Sequence, residues 1–419
     1  MVIPIKPAGA LASAGRASAH GAVSAHTQPG AITLAALPPL SLYVHFPWCV
    51  KKCPYCDFNS HAVPGASSSG TDTAIPEARY IDALIRDLEL SLPLIWGRRI
   101  QSIFFGGGTP SLLSPNGFEH LISEIRSRSG LEADAEITLE ANPGTFEAAK
   151  FAAYRASGVN RLSIGIQSFN DAHLQALGRI HGSAEAVNAI KIAQSLFDNF
   201  NLDLMYALPG QTPAQLQSEL DTALGFNPPH LSYYHLTLEP NTLFAKYPPA
   251  LPDDDTAAEM QSLIEARLSQ AGYMHYETSA YAQPGRTSRH NINYWRFGDY
   301  LGIGAGAHGK LSFAHRILRT TKLRQPESYM AGCEAGAPLA EEREVGIKEL
   351  PFEYMMNALR LTEGFAVREF GERTGLTLAA VEDALNQAER KGLITRDHLR
   401  IAPTARGRLF LNDLLQLFL

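Results

Sequence analysis

Three cysteines, Cys49, Cys53 and Cys56, stand within one short string, Cys-Val-Lys-Lys-Cys-Pro-Tyr-Cys, a C-x3-C-x2-C spacing. Thiolates hold iron–sulfur clusters, and four of them normally complete a [4Fe–4S] cube. Three local thiolates leave one iron without a protein ligand. Such an iron can take the amino and carboxylate groups of S-adenosylmethionine, which brings the sulfonium within reach of an electron. Structural zinc is the alternative, but it usually wants two paired knuckles. Here His45 or His61 would have to supply its fourth ligand. Cys333 lies far downstream and reads as a bystander thiol. A tight cysteine group, unlike a spread disulfide framework, fits a reducing compartment, so a cytoplasmic protein is expected.

Other polar residues could serve the same ligand. The turn Gly106-Gly107-Gly108-Thr109-Pro110 lets backbone approach a ligand closely. Glu140 and Asp203 could bind a cationic amine and ribose hydroxyls, Gln167 adds amide hydrogen bonds, and Arg179 could grip a carboxylate with two donors. Taken singly, each of these is more often a helix cap or a surface pair.

These residues have to be brought together by the fold. Short β-branched or aromatic runs at 42–46, 102–105, 136–139, 161–166, 201–206 and 231–236 alternate with amphipathic stretches such as 76–92 and 115–128. Thr212-Pro213 opens another helix, with Thr as cap and Pro in the first turn. Repeated βα units imply an α/β protein with a parallel, barrel-like sheet. The first run leads into the cysteines and the second into the glycine turn. The third leads into Glu140, the fourth into Gln167, and the fifth carries Asp203. In βα barrels chemistry sits where the strands end, so all of these fall on one rim.

The bulk numbers exclude little. A chain of 419 residues, 45% hydrophobic and 19% charged, is an ordinary globular composition. A net charge of −6 gives no reason to expect nucleic acid or an anionic membrane as partner, and no apolar run is long enough to span a bilayer. Peripheral membrane contact stays open. Residues 1–38 are rich in Ala, Gly, Ser and Pro and contain no acid, which predicts a disordered extension, with an organelle transit peptide as the weaker alternative. The barrel with its extension is expected over 39–335 and a small C-terminal domain over 340–419. In the latter, Thr377 caps a helix with Leu378, Val381, Leu385 and Ala388 on one face, ended by Gly392. Apolar pieces at 393–394 and 399–401 form a hairpin, and a last helix ends at Leu419. That is a winged-helix-like unit. Its Arg390, Lys391, Arg396, Arg400, Arg406 and Arg408 could face an anionic partner, but a solvated face is the simpler reading and no stable nucleic acid is expected.

Several strings carry a family resemblance. Tyr43-Val-His-Phe-Pro-Trp-Cys49, the cysteine triplet, the GGGTP turn and Ser163-Ile-Gly-Ile-Gln167-Ser-Phe resemble the radical-SAM family of oxygen-independent coproporphyrinogen III oxidases, over 41–419. The resemblance implies a partial (β/α)6 TIM-like barrel with a C-terminal winged-helix-like, α-rich domain. It also implies contacts to S-adenosylmethionine from Tyr43, Gly107, Gly108, Thr109, Glu140, Gln167, Arg179 and Asp203, and Tyr55 in the cysteine loop is counted with them. The sequence departs from the oxidases at Phe58, where they carry a further cysteine, and in its N-terminal segment. It is instead similar to the heme-chaperone branch, whose HNxxYW motif stands intact as His290-Asn-Ile-Asn-Tyr294-Trp295. That implies heme as ligand and heme-acceptor proteins as partners. His290 could ligate iron, and Tyr294 and Trp295 could cover a porphyrin face. Without the resemblance, the motif reads as a strand terminus with a core Trp and a hydrogen-bonded His. His308, in the glycine loop 302–309, is a secondary candidate. The alternative function is a radical-SAM oxidase or dehydrogenase acting on coproporphyrinogen III.

Overall fold

The computed structural model describes residues 32–63 and 75–419. All six expected strands form, as Leu40–Phe46, Ile100–Gly107, Leu131–Ala141, Arg161–Gln167, Phe200–Tyr206 and His230–His235, and they pair in parallel in that order. Alternation explains their build. Leu162, Ile164 and Ile166 point outward beneath the helices and are fully buried, while Arg161, Ser163 and Gln167 point inward. The helices between them are Glu77–Ile95, Pro115–Arg128, Ala148–Ser157, Ser183–Leu196 and Pro213–Gly225. Ser114 caps the second of these by accepting from the Gly117 N–H. Thr212 and Gln215 close a reciprocal cap on the last.

The sheet is larger than the sequence suggests. Among the described residues it has twelve strands, and a seventh parallel strand, Asp299–Ile303, lies against Leu40–Phe46 on the side away from the second strand. This corrects the reading of 302–309 as one tight glycine loop. Gly302 is glycine because a Cβ there would stand 2.0 Å from the His308 carbonyl oxygen, where the sheet folds back. Antiparallel strands His308–Phe313, Arg316–Lys322 and Leu339–Glu344 extend this edge, and the hairpin Met274–Glu277/Ala280–Ala282 extends the other. Among the described residues the two edges do not pair with each other, so the barrel is partial.

A second apolar cluster forms the C-terminal unit around Leu350, Tyr354, Phe365, Phe370, Leu385, Ile401 and Leu414. Its three-stranded sheet joins Phe365–Ala366, Arg400–Pro403 and Ile394–Arg396. Two details differ from expectation. The segment after Thr377 is a 3-10 turn, Leu378–Val381, before the helix Glu382–Arg390, and the Thr377 side chain makes no cap bond. The terminal helix is two pieces, Ala405–Leu409 and Leu411–Gln416. Residues 1–31 of the expected extension lie outside the described residues, but its last part does not behave as a free tail. Ile32 and Leu34 are each 6% exposed within the second cluster, and the Leu34 N–H donates to the Ala314 carbonyl at 2.8 Å. Two isolated aliphatic side chains are enough to seat it.

Candidate functional site at the strand ends

The cysteine loop leaves the first strand and is closed at its base. Trp48–Cys49 pairs with His61–Ala62, and the Val63 N–H donates to the Cys49 carbonyl at 3.0 Å. Within it, the Cys56 N–H reaches the Cys53 carbonyl at 3.2 Å, a turn that folds the third thiol back toward the second. All three thiols are free and half-buried. Burial pushes the Cys49 and Cys56 thiols up, with hydroxyls of Thr109 and Ser60 opposing it. Both ring nitrogens of His45 are engaged, Nδ1 with the Tyr43 hydroxyl at 3.0 Å and Nε2 with the Asn59 carbonyl at 2.9 Å. His45 is therefore not placed to complete a zinc site. Among the described residues no three His, Cys, Asp or Glu side chains converge as they would on a single ion.

The glycine turn is zipped to this loop. The Gly108 N–H donates to the Phe46 carbonyl at 2.6 Å and the Thr109 N–H to the Trp48 carbonyl at 2.7 Å. A Cβ on Gly107 would lie 2.4 Å from the His45 ring, and one on Gly108 2.5 Å from the Trp48 oxygen, so neither position admits another residue without movement. Glu140 accepts from the Gly107 N–H at 3.1 Å, and burial together with Asp203 pushes its carboxyl up to about 8. Gln167 ends the fourth strand with φ +65, a left-handed backbone in a non-glycine residue, at a break in register. Strain of that kind concentrates at ligand sites. Arg179 spans the gap to the cysteines: Nη2 donates to the Gly165 carbonyl at 3.0 Å and Nη1 approaches Cys53 Sγ at 3.5 Å. Its Nε is buried without a hydrogen-bond partner, which suits a ligand carboxylate. Tyr55 lies beside Arg179 and Cys53, its ring 6.3 Å from Phe244. Tyr43, Gly107, Gly108, Thr109, Glu140, Gln167 and Arg179 thus surround the cysteine loop, with Asp203 one layer deeper on the fifth strand.

His290, Tyr294 and Trp295 are elsewhere. They form a short helix, Arg289–Trp295, across the amino end of the barrel, not a strand terminus. Both oxygens of Glu136 hold its start, accepting from the N–H groups of His290 and Arg289 at 3.1 Å each. His290 Nδ1 meets Ser102 Oγ at 3.1 Å and its ring stacks on Phe104 at 4.9 Å, leaving it 3% exposed. Burial, and then the charge of Arg161, pushes it down to about 3, so the ring is neutral. Ser102 and Gly107 are five residues apart on one strand, which separates this floor from the cysteine rim by roughly 16 Å. Tyr294 packs on Tyr300 at 4.2 Å, and the Arg360 guanidinium lies 4.5 Å over the Trp295 ring. His308 is exposed and near Thr321, at 3.3 Å.

The braces of the site carry no signal of their own in the sequence. Asn59 Nδ2 donates to the Ala305 and Arg324 carbonyls, both at 2.9 Å, tying the cysteine loop to the glycine loop. Beside it a cavity of about 520 Å³ is lined by Lys52, Cys56, Phe58, His61 and Arg324, with Phe58 63% exposed. In the C-terminal unit, Arg396 is paired with Glu382 and Glu389, and Arg400 with Glu363. The basic run is therefore partly neutralised, as a solvated face would be.

This geometry has known relatives. The radical SAM superfamily model matches residues 43–223, and the HemN C-terminal domain model matches 348–410. The heme chaperone HemW of Escherichia coli K12 is 50% identical over 390 residues, covering 92% of this chain and 100% of that protein. The chain belongs to the HemW family of radical-SAM proteins. HemW of Haemophilus influenzae is 48% identical, over 91% of this chain and 98% of its own length, and that of Bacillus subtilis 33% identical, over 90% and 99%. Among solved structures, the radical-SAM coproporphyrinogen III oxidase HemN of Escherichia coli superposes with a TM-score of 0.76 at 24% identity, over 91% of this chain and 90% of that one, which shows the shared fold. Membership of the radical-SAM superfamily implies a [4Fe–4S] cluster and S-adenosylmethionine as cofactors. Among the described residues of this HemW-family chain, no helix is long and apolar enough to cross a membrane.

Proposed function

We propose that this protein is a cytoplasmic heme chaperone that binds heme, a [4Fe–4S] cluster and S-adenosylmethionine, and passes heme to acceptor proteins. End-to-end similarity to proteins named as heme chaperones carries the reading. Phe58, at the position where the oxidases carry a further cysteine, supports it against the oxidase alternative.

Cys49, Cys53 and Cys56 would hold the cluster, which supplies an electron to the sulfonium when bound. Tyr43, Tyr55, Gly107, Gly108, Thr109, Glu140, Gln167, Arg179 and Asp203 would hold the nucleoside, with Arg179 on its carboxylate. Read as a partner of the cationic amine or the ribose hydroxyls, Glu140 serves the ligand as an ionised acceptor. Because burial and Asp203 push its carboxyl up to about 8, binding below that pH has to displace a proton. Affinity for S-adenosylmethionine is expected to rise toward pH 8 by up to about tenfold per unit and then level off. Calorimetry across that range checks this; a flat profile, or an unchanged slope in Glu140→Gln, removes Glu140 from the site.

His290, Tyr294 and Trp295 are the heme-contact candidates. In its described position the His290 ring is enclosed, so ligation to iron requires the helix to leave Ser102 and Glu136. Anaerobic titration with heme should give a saturable Soret band, followed by transfer to an apo-acceptor. Decarboxylation of coproporphyrinogen III by the reconstituted protein would overturn the chaperone reading. A displaced Soret band in His290→Ala is the expected sign of ligation, and an unmoved one takes that histidine off the iron.

A further inference from the structure

The barrel interior holds a cation for which the described residues supply no contact partner. Arg161 begins the fourth strand and its side chain turns inward, yet it is only 2% exposed. Its Nε has no hydrogen-bond partner, and among the described residues no carboxylate stands within ion-pair distance of it. Thr138, directly across the strand pair, is fully buried, and its hydroxyl also lacks a partner.

The nearby acids make their hydrogen bonds elsewhere, although Asp203 still feels the charge of Arg161, which opposes the upward push of burial on its carboxyl. Asp203 accepts from Ser163 Oγ and Asn201 Nδ2, each at 2.8 Å. Glu136, on the same floor, holds the start of the helix Arg289–Trp295. The histidines facing this end, His230 and His290, are held in neutral form by burial and by Arg161 itself. His230 is spanned between Asn201 at 2.7 Å and Tyr276 at 2.8 Å. A guanidinium taken out of water is normally paired and hydrogen-bonded. None of the described residues makes that contact here, which leaves the place open to a carboxylate of a ligand.

We propose that Arg161, with the Thr138 hydroxyl, receives a carboxylate of a ligand lying inside the barrel; on the chaperone reading, on which this inference rests, that carboxylate is a heme propionate. The fork of the guanidinium matches a carboxylate with two parallel hydrogen bonds, and Thr138 supplies a third donor. Above this floor, the walls present aromatic faces suited to a flat macrocycle. Tyr43 stacks on Phe104 at 6.3 Å, and both are half-buried.

The test compares heme and mesoporphyrin IX with their dimethyl esters, which keep the ring but lose both charges. Wild type is expected to bind each free acid about tenfold or more tighter than its ester. In Arg161→Gln that preference should disappear, and Arg161→Lys should restore part of it, with cluster content unchanged. Equal binding of acid and ester by wild type overturns the proposal without any variant, so a poorly folding Arg161→Gln does not protect it. Undiminished acid binding in a folded Arg161→Gln overturns it as well. If wild type prefers free mesoporphyrin through Arg161 but transfers no heme, the site stands and the chaperone reading falls. If it binds no porphyrin in either form, both fall together.

Discussion

Replacing Cys53 by Ala is expected to yield a protein that no longer takes up the brown chromophore on anaerobic reconstitution. Three thiolates are the fewest that leave a cube with one open iron; two leave it with two, and the cluster is lost. Cys53 also faces Arg179 Nη1 at 3.5 Å, so its removal strips the guanidinium of a neighbour as well as the iron of a ligand. The control is Cys333→Ala. That thiol is fully buried in the first apolar cluster, far along the chain from the loop, and burial pushes it up to about 12. Cluster content should be unchanged there. A colourless, zinc-loaded wild type would refute the assignment outright, and retention of full iron and sulfide content in Cys53→Ala would do the same for this ligand set.

The largest expected loss of stability lies behind the rim. Asp87, fully buried on the helix Glu77–Ile95, accepts from Lys322 Nζ at 2.5 Å, from the Tyr329 hydroxyl at 2.7 Å and from the Gly304 N–H at 3.3 Å. Lys322 is itself 3% exposed. Asp87→Ala leaves that ammonium buried without a counter-charge and is expected to cost about 3–5 kcal/mol in denaturant unfolding. Replacing both partners, as Asp87→Leu with Lys322→Met, should recover much of the loss, because the uncompensated charge goes with them. The effect should reach the site, since Gly304 packs so closely under His45 that a Cβ would come within 2.4 Å of its carbonyl oxygen. Cluster loading is therefore expected to fall in the single variant. A cost below about 1 kcal/mol would show that the pair is relaxed by water and carries little of the fold.

The rim was legible because its residues follow apolar runs of strand length, and a βα alternation places everything after such runs at one end. Glu140 and Gln167 could be read in that way, whereas Arg179 lies beyond the helix Asp171–Ala176 and was picked out by its paired donors and by the family resemblance. The seventh parallel strand could not, because Gly302, Gly304 and Gly306 look like turn residues, and only the folding back of the sheet explains the first of them. Nor could composition say which end of a barrel a motif occupies. His290 and Trp295 have the chemistry of a ligand site, but Glu136 and Ser102, each more than 150 positions away, decide that they form the floor. Asn59, Asp87 and Arg161 were invisible for a related reason. Each is an unremarked polar residue until tertiary closure shows what it meets, or in the case of Arg161, what it does not.

The seating of Ile32 and Leu34 limits how the molecule can open. Residues 35–39 are all that lie between them and the first barrel strand, whose far end becomes the cysteine loop. Fully drawn out, that stretch reaches about 20 Å. The C-terminal unit is thus held on a short leash at this point, in addition to its own covalent connection through residues 345–349. With both ties in place it can swing but not depart. An acceptor that pries it from the barrel has to unseat two aliphatic side chains or take up the slack in the strand that leads to the cluster.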